Sequence, residues 1–292
     1  MNDLFAVDPN SLAEDNGIWC KALYDKFGFH TGIFMANLPV DWRAQVKRNY
    51  TTNGLSKCCG EFLAQAKRRK FVIPLDHQEG LEDLSEILGM GQLAGVVGNS
   101  RFAAAPSVRD VIIGERTDLL APQPDDTIQT QPAHFIDTFK PLILTSSELH
   151  LIDKYAFGFA RRNLAVKESW YEFFRLVKAL GEISPKPLYR FVIHLWDSVT
   201  SIPSREVIAQ GLDDLNSYLA KQRGPDLEVL VIYSDESVPD DQHDRFLLAA
   251  HGGLSIGWGL HFSDRESTTY VNYLSEKQLL QQHKKFISGK KF

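Results

Sequence analysis

The clearest pattern of apolar and polar positions lies in the second half of the chain, where short apolar runs alternate with longer amphipathic segments. The runs at Glu148–Ile152, 189–196 and 227–233 are typical of strands, and residues 142–144 are also predicted as strand. Between these runs, two sets of apolar residues recur at helical spacing. They are Trp170, Phe173, Phe174, Val177 and Leu180, and then Val207, Ile208, Leu212, Leu215 and Leu219.

This alternation predicts an α/β fold with a mostly parallel sheet, helices packed on it and right-handed crossovers between its strands. Ser204 is the predicted N-cap of the second helix. Beyond the third strand, residues 246–249 and 254–256 are predicted to form a hairpin that turns at Gly252 and Gly253. The glycines that follow, Gly257 and Gly259, are expected to let backbone or a ligand approach closely.

The first half of the chain is predicted to be a mixed α+β domain. A helix over residues 55–69 runs into a short strand at 71–75, and a second helix is predicted over 80–93. Aromatic residues near the start are expected to lie in the core, with a base-stacking surface as the alternative. They are Trp19, Tyr24, Phe27, Phe29 and Phe34.

Residues 121–132 concentrate proline, aspartate and glutamine without apolar periodicity, which is typical of a linker. We therefore predict an N-terminal domain at 1–120, a linker at 121–139 and a C-terminal domain at 140–292. The N-terminal domain resembles no family that we can name. Both domains have ordinary sizes.

Composition narrows the class of protein further. The chain has 292 residues, of which 43% are hydrophobic and 24% are charged, and no stretch approaches the roughly 20 apolar residues of a membrane span. Its start also lacks the pattern of a signal peptide, so we expect a cytoplasmic protein. Cys20, Cys58 and Cys59 fit neither a metal site nor a disulfide framework, and we expect no metal and no other cofactor.

Charge leaves nucleic-acid binding open. The net charge of −5 argues against extensive contact with nucleic acid, but basic residues cluster locally. These clusters lie at residues 47–48, 67–70, 161–162, 284–285 and 290–291. A local basic surface is therefore compatible with an acidic total.

The run from Asp240 to Leu260 carries the candidate chemistry, because here the sequence resembles the phospholipase D superfamily. In that family's motif one residue separates a histidine from a lysine. An aspartate follows after four further residues, and a glycine with a small hydroxyl residue follows after six more. His243, Arg245 and Gly257 match the histidine, lysine and glycine, whereas Ala250 replaces the aspartate and Trp258 the hydroxyl residue.

The preceding order of strands and helices is similar to that of degenerate, single-motif members of the superfamily. Among these is the C-terminal phospholipase D-like domain of proteins that bear a microtubule-interacting-and-trafficking domain. The resemblance covers about half the chain, residues 140–292, and implies a mixed or parallel sheet flanked by helices.

The resemblance implies two ways in which this site works. Active members pair two motifs, so an enzyme with one motif needs a homodimer that brings two copies of His243 together. His283 to Lys285 repeats the histidine–lysine spacing, but we interpret it as coincidence. His243 would then be the nucleophile and Arg245 the phosphate clamp of a metal-independent phosphodiesterase or nuclease. Because Ala250 cannot orient a histidine as an aspartate would, we favour a site that does not catalyse, although Asp241 or Asp244 is an alternative source of that carboxylate.

The leading prediction is an accessory protein that binds a phosphate-bearing ligand, nucleic acid or a protein partner without hydrolysis. By analogy we expect it in a bacterial mobile-element or antiviral defence assembly, either with a protein partner or as a homodimer. A third alternative is a module that binds acidic lipid headgroups. A structure in which Arg245 pairs with an internal carboxylate such as Asp241 would favour a purely structural role. The predicted binding residues are His243, Arg245, Gly257, Gly259, Arg161 and Arg162.

Overall fold

A computed structural model describes most of the chain, which divides into two compact units, Met1–Pro124 and Asp125–Phe292. Residues 80–92 of the second predicted helix and the predicted site residues His243, Arg161 and Arg162 fall outside the described residues, and Leu93, where that helix is predicted to end, is not helical. The described residues are 3–38, 41–52, 56–74, 93–98, 105–114, 126–157, 168–184, 186–196, 203–234, 245–260, 262 and 267–287.

The Met1–Pro124 unit contains a four-stranded sheet with the order β3-β2-β1-β4, and all its described strand pairs are parallel. A 3-10 helix, Ser11–Gly17, follows the first strand. The strands are β1 (Asp3–Val7), β2 (Ile33–Ala36), β3 (Val72–Ile73) and β4 (Gly95–Val97). The helices are α1 (Cys20–Asp25), α2 (Trp42–Thr52), α3 (Ser56–Arg69) and α4 (Val108–Ile113).

Aromatic side chains dominate the core of this unit, as the sequence predicts. Trp42 is fully buried and its Nε1 donates a hydrogen bond to the carbonyl of Val7, 2.8 Å away, which ties α2 to the end of β1. Tyr24, Phe27, Phe29 and Phe34 are buried as expected, whereas Trp19 is only half-buried. The core therefore accounts for four of the five aromatics, and a base-stacking surface is not needed to explain them.

The Asp125–Phe292 unit is built on a seven-stranded sheet with the order β5-β11-β10-β9-β6-β7-β8. Strands β6, β7 and β8 are parallel, and the remaining pairs are antiparallel. The strands are β5 (Asp126–Gln129), β6 (Glu148–Ile152), β7 (Arg190–Trp196), β8 (Glu228–Ser234), β9 (Arg245–Ala249), β10 (Gly252–Ile256) and β11 (Thr268–Tyr273). The helices are α5 (Pro132–Thr145), α6 (Glu168–Leu180), α7 (Arg205–Ala220) and α8 (Glu276–Phe286).

The α/β class with a mixed sheet flanked by helices is confirmed, together with the strands and helices predicted between residues 148 and 234. The prediction of a mostly parallel sheet is wrong, because four of the six described strand pairs in this sheet are antiparallel. The α+β class predicted for the N-terminal domain is also wrong, because its described strands pair in parallel and alternate with helices. Ser204 occupies the N-cap position of α7. The described part of the chain has no helix that is long and apolar enough to cross a membrane.

Three local predictions are wrong. Residues 142–144 are not a strand but lie near the end of α5. The prediction failed because three successive buried residues of a helix give the same apolar pattern as a short strand. The part of the predicted linker from residue 126 onward forms β5 and most of α5, which begins at Pro132, a residue that suits a first helical turn. The hairpin turns at Ala250 and His251, because Gly253 lies within β10 under three leucine side chains.

The strand directions define one edge of the sheet. The carboxyl ends of the parallel strands β6, β7 and β8 meet there, and β9 begins at the same edge because it runs antiparallel to β6. We call this edge the carboxyl edge. In open α/β sheets, ligands bind at the carboxyl ends of the strands.

Candidate functional site

Arg245 and Asp153 face each other at the carboxyl edge. Arg245 is the first residue of β9, and Asp153 follows the last residue of β6. The register pairs Ile152 with Phe246, which places Asp153 beside Arg245. Two residues far apart in the sequence therefore meet because the two strands are antiparallel neighbours.

The Asp153 carboxylate is buried and accepts contacts from three directions. Arg245 Nε lies 3.3 Å from Oδ1, and the backbone N–H of Tyr155 donates to the same oxygen at 2.9 Å. The backbone N–H of Leu260 donates to Oδ2 at 3.3 Å. These contacts satisfy a carboxylate that is only 3% exposed and whose burial would otherwise be costly.

The Arg245 guanidinium is held by more than this ion pair. It donates from Nη1 to the carbonyl of Gly257, and its Cζ lies 5.4 Å from the centre of the Tyr155 ring. Lys154 Nζ lies 5.2 Å from the same ring. Two cations therefore contact one aromatic side chain at the edge of the site, at distances typical of cation–π interactions.

Gly259 allows the turn after β10 to close over the pair. Its φ of +74° suits glycine, and a Cβ built there would lie 2.0 Å from Asp153 Oδ2 and 2.5 Å from Arg245 Cδ. Gly257 differs, because a Cβ there would meet no described atom closer than 3.6 Å. The close approach expected at both glycines therefore occurs at Gly259 and not at Gly257.

Burial raises the pKa of Asp153, and the charge of Arg245 is the largest influence that opposes this shift. The two effects are those expected when a carboxylate leaves water and gains a cationic partner. The stability of the ionised form therefore depends on Arg245. Removal of either partner leaves the other charge without its compensation in a poorly hydrated site.

The structure locates some of the predicted site residues. Arg245, Gly257 and Gly259 come together at the carboxyl edge, and the position of Ala250 lies in the exposed turn at the other end of β9. The carboxylate that pairs with Arg245 is thus Asp153, which is not among the predicted site residues. This pairing favours a structural role for Arg245, and its role as a direct ligand contact stays a prediction.

A signal for Asp153 does exist in the sequence. An acidic residue directly after a buried strand of a parallel sheet lies at the edge where sites form. Its partner could not be predicted without the order of the strands.

A second polar cluster lies within the same sheet, on β6 and β7. His150 Nε2 is 2.9 Å from Glu148 Oε1, and His150 Nδ1 is 3.0 Å from His194 Nε2. Because a carboxylate only accepts, His150 donates from Nε2, so neutral His150 accepts at Nδ1 from His194 Nε2–H. Arg190 Nη1 contacts the other oxygen of Glu148 at 3.1 Å. Both imidazoles are buried, so the cluster forms part of the core.

The pKa of His150 is lowered, chiefly by burial; Glu148 opposes the shift, while His283 and Arg190 add to it. The unfolded chain therefore binds a proton at His150 at a higher pH than the folded chain does. As the pH falls below about 6.5, the unfolded state gains protons and the folded state loses stability.

We expect His150→Gln to flatten this pH dependence, because glutamine does not titrate. Urea unfolding between pH 5 and pH 8 measures the effect. The control is His134→Gln, the same exchange at an exposed position of α5. Equal pH dependence in wild type and His150→Gln would contradict the assignment.

No group of three or more histidine, cysteine, aspartate or glutamate side chains that could hold a metal ion occurs among the described residues. Comparison of the chain with models of known protein families and with curated proteins found no match. The chemistry of the carboxyl edge is therefore the basis for a functional proposal.

Proposed function

We propose that residues 125–292 form a phospholipase D-like domain that binds a phosphate-bearing ligand at the carboxyl edge without hydrolysing it. Nucleic acid is the leading ligand. The absence of hydrolysis is inferred from the pairing of Arg245 with buried Asp153, and binding is inferred from the position of Lys154 at the same edge. The proposal includes an accessory role in a bacterial defence or mobile-element assembly, which rests on the resemblance alone.

The pairing argues against catalysis on electrostatic grounds. A phosphoryl-transfer site stabilises the negative charge of its transition state with cations directed at the phosphoryl oxygens. In this site the charge of Arg245 is already balanced by a carboxylate 3.3 Å away, and Nη1 is directed to the carbonyl of Gly257. An arginine in this arrangement is better suited to hold a turn in place than to stabilise the negative charge of a reacting phosphoryl group.

Binding is supported by the position of the site and by its other cation. Lys154 directly follows Asp153 and lies against Tyr155 at the carboxyl edge. A lysine at such a position contributes to affinity for phosphate by charge. Asp153 does not cancel this contribution, because Asp153 is buried against Arg245.

The test is incubation of the purified protein with labelled single-stranded and double-stranded DNA and RNA in excess EDTA. Cleavage and retention are scored on the same samples for wild type and His243→Ala. We expect retention that weakens with salt and no cleavage by either protein. Cleavage by wild type that is lost in His243→Ala would overturn the proposal in favour of the homodimeric phosphodiesterase.

A matched pair of lysine variants tests the location of the binding site. Lys154→Gln should weaken retention of all sequences and lower the slope of log affinity against log salt by about one. The control is Lys221→Gln, which removes an exposed lysine at the C-cap of α7. Helix α7 runs back from the carboxyl edge, so this control should leave retention unchanged. Equal effects of the two variants would contradict the assignment of the site.

A further inference from the structure

The turn from Gly257 to Leu260 exposes a tryptophan. Trp258 is 68% exposed, although its neighbours in the turn are held by the buried ion pair. The carbonyl of Gly257 accepts from Arg245, and the N–H of Leu260 donates to Asp153. The backbone N–H of Trp258 donates to the Thr269 hydroxyl at 2.9 Å. The backbone that carries the indole is therefore fixed while the indole itself lies in solvent.

This arrangement is unusual because tryptophan normally gains stability by burial. Here the buried pair and the left-handed backbone of Gly259 support an exposed aromatic residue. A rigid backbone lowers the entropy that an aromatic residue loses when it binds a ligand. The turn therefore has the properties of a preorganised contact.

A second exposed aromatic residue lies next to the turn. Tyr270 on β11 is 60% exposed, and its carbonyl accepts from the N–H of Gly257 at 2.9 Å. Because Gly257 lacks a side chain, nothing on that residue covers the Tyr270 side chain. Two exposed aromatic residues thus lie at the end of the β10–β11 pair, at the same edge as Lys154 and Arg245.

We propose that Trp258 is a stacking platform for a base of single-stranded nucleic acid, and that the Arg245–Asp153 pair positions its turn. Base stacking on aromatic side chains beside cations that follow the phosphate backbone is the common mode of binding to single strands. Lys154 supplies the accessible positive charge, and Trp258 and Tyr270 supply the apolar faces. This inference rests on the proposed function and adds the chemical class of the ligand.

The test measures binding of oligo(dT) and of inorganic polyphosphate to the full chain by tryptophan fluorescence and by filter retention. We expect oligo(dT) to quench the fluorescence of wild type. Trp258→Phe should bind oligo(dT) with little quenching, because phenylalanine still stacks but no longer reports. Trp258→Ala should bind oligo(dT) roughly 10-fold more weakly or worse. The affinity for polyphosphate should change little in Trp258→Ala.

The control is Tyr189→Ala, which removes another exposed aromatic residue just before β7, at the opposite edge of the sheet. It should bind oligo(dT) as wild type does. Because Trp258 is exposed, its variants should retain the circular dichroism spectrum of wild type.

Each other outcome overturns a defined part of the proposal. If Trp258→Ala binds oligo(dT) as tightly as wild type while both ligands are retained, the stacking role is wrong and the phosphate-binding site stands. If neither oligo(dT) nor polyphosphate is retained by wild type, both the stacking role and the phosphate-binding function are wrong. Retention of polyphosphate alone overturns the choice of a nucleic acid.

Discussion

Asp153→Ala is expected to lower the free energy of unfolding of the 125–292 unit by about 3 kcal/mol, toward the lower end of the range for breaking a buried ion pair. The substitution leaves the Arg245 guanidinium without its carboxylate and the N–H groups of Tyr155 and Leu260 without their acceptor. The value falls at the lower end because the Arg245 side chain is still 16% exposed. Urea unfolding at pH 7 measures the change.

The control for this prediction removes both charges. Asp153→Leu combined with Arg245→Met should cost less than Asp153→Ala alone, because an apolar pair leaves no charge buried without a partner. A double-mutant cycle of Asp153→Leu, Arg245→Met and their combination gives the free energy of coupling between the two side chains. Equal losses in the single and double variants would show that the ion pair does not stabilise the turn.

Gly259→Ala is expected to destabilise the same unit by about 2 kcal/mol or more, through a strained left-handed backbone and overpacking. The new Cβ would lie 2.0 Å from Asp153 Oδ2, so the carboxylate or the turn must move. The control is Gly257→Ala in the same turn, where a Cβ has ordinary space. Thermal unfolding should show a clear loss for Gly259→Ala and a change within about 1 kcal/mol for Gly257→Ala.

The affinity of Gly259→Ala for ligand tests whether the Arg245–Asp153 pair positions Trp258 or only stabilises the fold. If the pair positions Trp258, then folded Gly259→Ala should lose affinity for oligo(dT), whereas Tyr189→Ala should retain it. Equal affinity of Gly259→Ala and wild type would contradict the positioning of Trp258, and equal stability of the two glycine variants would contradict the close approach at Gly259.

The sequence predicted the parallel part of the second sheet well, because its signals are local. Strands β7 and β8 are nearly continuous apolar runs, and α6 and α7 show buried residues at helical spacing. Such patterns follow from which faces are buried and need no knowledge of distant partners. The class of fold could therefore be predicted, whereas its likeness to one superfamily stays a proposal.

Local patterns did not predict the structure correctly where a segment is short or where its contacts are with residues distant in the sequence. Residues 142–144 form the end of α5, and three apolar residues in succession do not distinguish helix from strand. The residues of the site could not be predicted for a different reason. Asp153 and Leu260 are 107 residues apart and meet only because β6, β9 and β10 are neighbours. That neighbourhood depends on strand order, which the sequence pattern does not specify.

The fate of a bound ligand tests the central claim most directly. Wild-type protein is mixed with end-labelled oligo(dT) in EDTA, the complex is isolated, and the recovered oligonucleotide is sized on a denaturing gel. The proposal predicts that the oligonucleotide is retained and recovered at full length after prolonged incubation. Shortened fragments would show that the carboxyl edge hydrolyses its ligand, and would contradict the assignment of Arg245 and Asp153 to a binding site without catalysis.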